Sequence, residues 1–151
     1  MKKVLLATAV AVSLLSGCAS VPMSSVEKTQ LAKQFNAPSE GHAGLYIYRE
    51  GGPGGALKKD VWVDDVCVGE TAPHVFFYEE VKGDVEHKIS TESEFSPNEM
   101  QLKTKSGQNY FVKQYIKIGV FVGGANVELV NESEGERSVK ELGMAIKGTC
   151  S

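Results

Sequence analysis

The chain has 151 residues, of which 42% are hydrophobic and 23% are charged, and its formal net charge is −3. This composition is typical of a globular protein and excludes a disordered chain, a collagen-like repeat and a coiled coil. The acidic balance argues against nucleic acid as a partner, because nucleic-acid-binding domains carry basic patches. At roughly 150 residues per domain, the length predicts a single domain.

The N-terminus has the pattern of an export signal. Lys2 and Lys3 precede an apolar run, residues 4–15, that contains only two polar side chains. As a helix this run would reach roughly 18 Å, which is too short for the roughly 30 Å hydrocarbon core of a bilayer. It is therefore predicted to be the apolar region of a signal peptide and not a membrane span.

The apolar run ends in Leu-Ser-Gly-Cys at residues 15–18, which resembles the bacterial lipobox. The resemblance implies cleavage after Gly17, a diacylglycerol thioether on Cys18 and N-acylation, and two or more such chains anchor a protein stably. Ala19 stands where an Asp would retain an enterobacterial lipoprotein in the inner membrane, so we expect the outer membrane, with the domain facing the periplasm. The alternative is an ordinary secreted protein with a cysteine near its cleavage site.

Cys67 and Cys150 are the candidate partners of a disulfide bond. Lipid would occupy Cys18, and cysteines left over in the oxidising periplasm usually pair. The alternative is a buried free thiol at Cys67 and a frayed terminal thiol at Cys150.

Residues 19–40 are predicted to be a tether. A short helix over residues 25–35 is expected, because Ser24 and Glu27 fit a capping box. The helix is open to two interpretations, a docking helix or a marginal helix in a spacer. The predicted division of the chain is a lipoprotein signal peptide at 1–17, the lipidated cysteine and tether at 18–40, and a β-sandwich domain at 41–151.

The remainder of the chain is a series of short strand patterns separated by turn residues. Residues 45–48 are apolar at both parities, which predicts a strand buried on both faces. Asn131 and Glu134 predict a capped helix that Gly143 ends. Strands spaced by roughly 8–12 residues indicate a sandwich or barrel, and we predict a mainly β fold, an antiparallel β-sandwich with one short C-terminal helix. The predicted strands are 45–48, 61–63, 66–69, 75–78, 86–91, 100–105, 109–118, 127–130 and 144–147.

Four segments of the chain resemble one known family. They are 32–35 with 41–49, where the sequence contains Tyr-Ile-Tyr-Arg, then 61–70, 106–112 and 132–142. Over residues 32–147 this pattern is similar to the domain of unknown function 2846 family of uncharacterised bacterial lipoproteins. The resemblance carries no catalytic or binding residues with it. Asp64 and Asp65 depart from the Asp-Gly turn of related domains, so a looser hairpin is expected there.

Few residues point to chemistry. Neither a metal nor a cofactor is expected, because the chain has no CxxC, HxxxH or HExxH pattern and His42, His74 and His87 are scattered. The glycine-rich stretch 51–55 is expected to be a mobile loop, since no Gly-Lys-Ser/Thr follows it as in a phosphate-binding loop. Three carboxylate pairs are expected to be solvated, with a weak calcium site as the alternative: Asp64 with Asp65, Glu79 with Glu80, and Glu92 with Glu94. A catalytic dyad of Cys67 with a histidine conflicts with the disulfide.

Most aromatic side chains are expected in the core, with Tyr48, Tyr78 and Tyr115 showing an exposed edge. The expected function is that of a non-catalytic binding or interaction module, anchored to the membrane by lipid, with an envelope protein or ligand as its partner. Two alternatives remain open: a small periplasmic hydrolase or ligand-binding enzyme, and a purely structural envelope component. A pocket holding His74 or His87 beside a carboxylate would favour the enzyme.

Overall fold

The computed structural model describes residues 17–151, so the predicted signal peptide lies outside the described residues except for Gly17. The elements in chain order are α1 (Val26–Ala32), β1 (His42–Arg49), β2 (Lys59–Val63), β3 (Val66–Thr71), β4 (Val75–Lys82), β5 (Glu86–Thr91), β6 (Asn98–Lys103), β7 (Asn109–Lys117), β8 (Gly124–Val130), α2 (Glu132–Lys140) and β9 (Gly143–Met144).

The strands form two sheets that pack face to face. One has five strands in the order β8-β7-β1-β4-β9, and the other has four in the order β3-β2-β5-β6. The five-stranded sheet is mixed, because β1 pairs with β7 and β4 pairs with β9 in parallel, while the other pairs are antiparallel. The predicted mainly β sandwich with a short C-terminal helix is confirmed.

Apolar side chains fill both faces of the five-stranded sheet. On its inner face Leu45 and Ile47 of β1 pack in one cluster with Ile89 of the other sheet. On its outer face Tyr46 and Tyr48 lie in a second cluster, which α2 and the residues after α1 cover. The apolar residues at both parities of β1 therefore correspond to burial on both faces, as predicted.

One prediction about the aromatic side chains is wrong. Tyr48 is 0% exposed and shows no free edge, because α2 covers the outer face of β1 where Tyr48 lies. Tyr78 and Tyr115 are partly exposed, as predicted. The sequence pattern of β1 identified a buried strand but did not identify the helix that covers it.

The N-cap of helix α1 lies one residue later in the chain than predicted. The Oγ of Ser25 accepts a hydrogen bond from the Lys28 N–H at 3.3 Å, so Ser25 and not Ser24 is the N-cap. A helix this short is not stable by propensity alone. Tertiary contacts hold it: the Tyr46 hydroxyl donates to the Ala32 carbonyl at 2.9 Å, and the Phe35 ring packs edge-on against Tyr46.

The segment predicted as a tether lies against the domain. The Ser24 N–H donates to the Met144 carbonyl at 2.8 Å, and the Ile146 N–H donates to the Pro22 carbonyl at 2.9 Å. These bonds form an antiparallel bridge between Met23 and Ala145 beside β9. Residues 22–24 therefore cover the backbone edge that β9 would otherwise expose.

Candidate functional site

The candidate lipidation residue lies next to the folded body. Cys18 is exposed and its thiol is free, and the next residue, Ala19, donates its N–H to the carbonyl of Gly55 at 2.9 Å. Gly55 belongs to the loop between β1 and β2, residues 50–58. A lipid on Cys18 would therefore be attached within one residue of the domain surface.

The loop that receives Ala19 is held by a buried arginine. Arg49 is 2% exposed, and its guanidinium donates to the carbonyls of Leu57 and Gly54, each at 2.7 Å. Such charge-assisted bonds are stronger than neutral ones. Gly54 has φ +77°, and a Cβ there would lie 2.8 Å from the Ile116 side chain. The predicted mobile loop is thus pinned at two carbonyls.

Sequence reasoning missed Arg49. The available signal was a charged residue that ends an otherwise apolar strand, directly before a glycine-rich loop whose carbonyls have no strand partners. Burial lowers the pKa of Arg49 from its ordinary value. The carbonyl oxygens of Leu57 and Gly54 compensate for the lost hydration of the guanidinium.

A groove runs along α1 on the outer surface of the five-stranded sheet. Two adjoining depressions of 370 and 380 Å³ share the side chains of Lys28, Tyr78 and Met144. Leu31 and Ile146, which line the groove, are 61% and 51% exposed. The groove therefore offers apolar contact area beside the lysine ammonium, which is the usual composition of a binding site.

The polar side of the groove consists of Tyr78 and Glu80, which are hydrogen-bonded to each other. The Tyr78 hydroxyl donates to the Glu80 carboxylate at 3.2 Å, and the Ser39 N–H donates to the same oxygen at 3.1 Å. Burial, followed by the Glu80 charge and this hydrogen bond, raises the pKa of Tyr78 to about 12. The bonds from Ser39 lead the effects that hold the pKa of Glu80 below its ordinary value. At neutral pH the groove thus presents a neutral phenol and a carboxylate.

Of the three histidines, His87 has a carboxylate as a neighbour. Its side chain is 6% exposed, with Nδ1 2.6 Å from Asp64 Oδ2 and Nε2 2.7 Å from the Lys82 carbonyl oxygen. Both ring nitrogens face oxygens of this chain, so neither faces an open space that a substrate could occupy. His74 is exposed in the turn before β4, and His42 Nδ1 faces the Glu40 carbonyl oxygen at 2.9 Å.

Asp64 stabilises the β2–β3 hairpin through contacts to a neighbouring strand of the second sheet, β5. Asp64 and Asp65 both have positive φ, 51° and 64°, as the tightest hairpin turn requires. Burial is the largest single effect on the Asp64 carboxyl and raises its pKa, but hydrogen bonds from His87 and the Lys88 N–H together outweigh it, so the net pKa is lowered. The expected looser turn is thus held by side-chain contacts to β5.

Asp64→Asn is expected to lower the free energy of unfolding at pH 7 by about 1–2 kcal/mol, because two charge-assisted hydrogen bonds are weakened. The folded pKa of Asp64 lies below the ordinary value near 3.9. Its contribution is therefore fully present above about pH 4 and is lost as the pH falls through the folded pKa. Urea unfolding of both proteins between pH 7 and pH 2 measures this loss.

Asp65→Asn is the matched control, because Asp65 shares the left-handed backbone but its side chain is 76% exposed and pairs with Lys88 alone. A change within about 0.5 kcal/mol is expected there. Equal losses for the two variants, or a gap for Asp64→Asn that stays constant down to pH 2, would contradict the assignment.

The structure pairs Cys67 with Cys150, as predicted. Their Cα atoms are 5.9 Å apart, and the bond joins β3 to the C-terminus across a sequence separation of 83. The residues on either side of Cys150 are also fixed. The Gly148 N–H donates to the Val68 carbonyl at 3.0 Å, and the Ser151 N–H donates to the buried Asp60 carboxylate at 2.9 Å. The C-terminus is therefore a strap across the four-stranded sheet.

Two further observations concern residues 17–151 alone. Within this part of the chain, no group of three or more His, Cys, Asp and Glu side chains is placed to hold a metal ion. No helix in it has the length and apolar character needed to cross a bilayer.

These features define a disulfide-linked β-sandwich with helices on one outer face and a groove beside α1. The family described as "Protein of unknown function (DUF2846)" matches residues 39–125, and the chain belongs to that family. A protein of Haemophilus influenzae described as uncharacterized is similar to it, with 58% identity over 133 residues, 88% of this chain and 79% of the relative. No solved structure matches the chain.

Proposed function

We propose that this protein is a lipid-anchored envelope lipoprotein whose β-sandwich is a non-catalytic interaction module on the periplasmic face of the outer membrane. The observation that carries the proposal is the position of Cys18. This lipobox-like cysteine is exposed, and Ala19 after it is hydrogen-bonded to the folded body. The anchor and the domain would thus form one unit without a free spacer.

Two further features support the envelope location. A disulfide between Cys67 and Cys150 suits an oxidising compartment such as the periplasm. Ala19 in place of Asp after the lipidated cysteine favours the outer membrane.

The groove along α1 supports the interaction role. It combines exposed apolar side chains with the Lys28 ammonium and the Glu80 carboxylate. A peptide segment with one apolar side chain between charged groups would fit this chemistry, because apolar contact provides affinity and the charges fix its orientation. His87, which a hydrolase would need with a free ring nitrogen, has both nitrogens occupied.

Cys18→Ser is expected to abolish lipid attachment, because the proposed thioether needs the cysteine sulfur. The acyl chains are the proposed anchor of the mature protein. Metabolic labelling with palmitate and intact mass of the mature protein measure the attachment, with Ser20→Ala as the control that keeps the cysteine. Continued labelling of Cys18→Ser, or an unmodified Cys18 in the wild-type mature protein, would overturn the anchor.

The interaction role is tested by a photo-crosslinking amino acid placed at Leu31 in living cells. Leu31 lies in the groove, and the matched control is Leu129, which is 48% exposed on β8 at the opposite edge of the sheet. One dominant envelope adduct from Leu31 and none from Leu129 is the expected result. Identical adducts from both positions, or none from either, would count against the groove.

A further inference from the structure

The strand order brings three long loops to the same end of the sandwich. Arg49 at the end of β1 pairs with Val75 at the start of β4, and β7 runs parallel to β1. In the other sheet, Thr91 at the end of β5 pairs with Asn98 at the start of β6. The loops 50–58, 92–97 and 118–123 therefore lie together, and we call this the anchor end because Ala19 is bonded to Gly55 there.

The anchor end exposes large apolar side chains. The turns at the opposite end carry several charged residues, among them Asp64, Asp65, Asp84 and Lys105, and a large exposed apolar side chain, Val66, lies beside them. Contiguous exposed apolar surface of this kind marks an interaction site. The anchor-end patch consists of Phe95 (76% exposed), Ile118 (99%), Val120 (75%), Phe121 (83%) and Val122 (56%).

One carboxylate, that of Glu94, holds the loop that carries most of the patch residues. Glu94 accepts the backbone N–H of Val120 at 2.6 Å, that of Phe121, and that of Val122 at 3.3 Å. The Phe95 and Phe121 rings pack edge-on with centroids 6.5 Å apart. Three backbone N–H groups of loop 118–123 are thus bonded to Glu94, and the apolar side chains of the loop are exposed.

Contacts connect the patch to the lipidated residue. A Cβ on Gly123 would lie 2.7 Å from the Leu57 side chain, so loop 118–123 abuts loop 50–58. Loop 50–58 in turn receives the Ala19 N–H at Gly55. The exposed lysines Lys58, which also lies 3.8 Å from the Glu70 carboxylate, and Lys117 stand at the margins of these two loops. Acyl chains on Cys18 would therefore enter a bilayer on the side where the apolar patch faces it.

We infer that the anchor-end patch is a membrane-contacting surface that enters the boundary between headgroups and acyl chains of the leaflet that holds the Cys18 lipids. This inference rests on the lipidation proposed above. Amphipathic surfaces bind this boundary by burying apolar side chains and placing cations at the phosphates. The sandwich would then stand on its anchor end, with the charged turns at Asp64 and Asp84 pointing away from the membrane.

The test uses the lipidated mature protein in phosphatidylcholine and phosphatidylglycerol vesicles that contain brominated acyl chains, which quench nearby tryptophan. Trp62, the single tryptophan, is first replaced by Phe. Phe121→Trp then reports on the patch, and Leu129→Trp, an exposed apolar position toward the opposite end, is the matched control. We expect brominated lipid to lower the Phe121→Trp emission at least twofold and to leave Leu129→Trp unchanged.

Ile118→Trp is a second patch probe at the most exposed position, should Phe121→Trp disturb the loop. Equal or absent quenching at the patch and control positions, in protein that floats with the vesicles and carries lipid, would overturn the membrane contact while leaving the lipid anchor in place. Protein that neither carries lipid nor floats would overturn both. Flotation with patch quenching supports both.

Discussion

Removal of the Cys67–Cys150 disulfide is expected to lower the free energy of unfolding by about 4–5 kcal/mol. The bond closes a loop with a sequence separation of 83, and in the chain-entropy model a loop of this length restricts the unfolded chain by about that amount. The native state adds to the effect, because the bond holds the C-terminus where Ser151 donates to the Asp60 carboxylate. Without the strap, this buried carboxylate loses both of those donors.

The measurement is urea unfolding of a mature chain with Cys67→Ser and Cys150→Ser, compared with the same chain with both cysteines. Both proteins carry Cys18→Ser, so that no free thiol exchanges with the bond. A third sample, Ser151→Ala, removes only the hydroxyl donor to Asp60 and should cost about 1 kcal/mol, separating the strap contact from the loop entropy. A loss below about 1 kcal/mol for the double variant, or two alkylatable thiols in the native wild-type protein, would refute the prediction.

Short sequence patterns predicted those elements that depend on residues only a few positions apart. Asn131 caps α2 through its Oδ1, which accepts the Glu134 N–H at 2.9 Å, as the Asn-x-x-Glu spacing indicated. Residues 86–91 lie between two turns and form β5 with the predicted bounds. These features depend on neighbours within a few positions, so the sequence alone contains the needed information.

Other features depend on contacts between distant parts of the chain. The predicted last strand, 144–147, is reduced to Gly143–Met144, because it pairs in parallel with Val75 and Phe76 of β4 and then meets residues 22–24. The docking of the N-terminal segment joins Met23 to Ala145, and no local pattern at either position predicts the other. The spacer-like composition of residues 19–40 therefore indicated a weak helix propensity, but it did not indicate that the segment packs against the domain.

The same distinction between local and long-range contacts applies to the candidate functional site. The pairing of Cys67 with Cys150 was accessible from the sequence, because it relies on residue type and count, and the lipidation of Cys18 stays a prediction. The two hydrogen bonds from the Arg49 guanidinium to loop 50–58 could not be predicted from the sequence. They need the backbone carbonyls of a turn whose shape is set by Gly54. The apolar loop 118–123 read as an interruption between strands, and Glu94, which holds it, lies in a different connection.

Phe111→Ala is expected to cost about 3–5 kcal/mol, the usual range for truncating a buried phenylalanine. Phe111 is 1% exposed, and its ring stacks on Tyr46 with centroids 5.0 Å apart and meets Phe35 at 5.7 Å. The backbone of α2 lies directly on this ring, because a Cβ on Gly135 would be 2.2 Å from Phe111 Cγ. The truncation therefore leaves a cavity beside α2 and beside Phe35, which follows α1.

The position of this cavity gives the prediction a second readout. Phe35 and Tyr46 hold α1 against the sheet, so hydrogen exchange at residues 26–35 should accelerate by more than the global loss of stability explains. Phe77→Ala is the matched control, since Phe77 is equally buried but belongs to the cluster between the sheets. It should lower stability by a similar amount without selectively exposing α1. Equal protection of α1 in the two variants would mean that α1, which forms one wall of the groove, is held independently of the outer aromatic cluster of Phe35, Tyr46 and Phe111. Selective exposure would make that cluster the element that shapes the proposed binding groove.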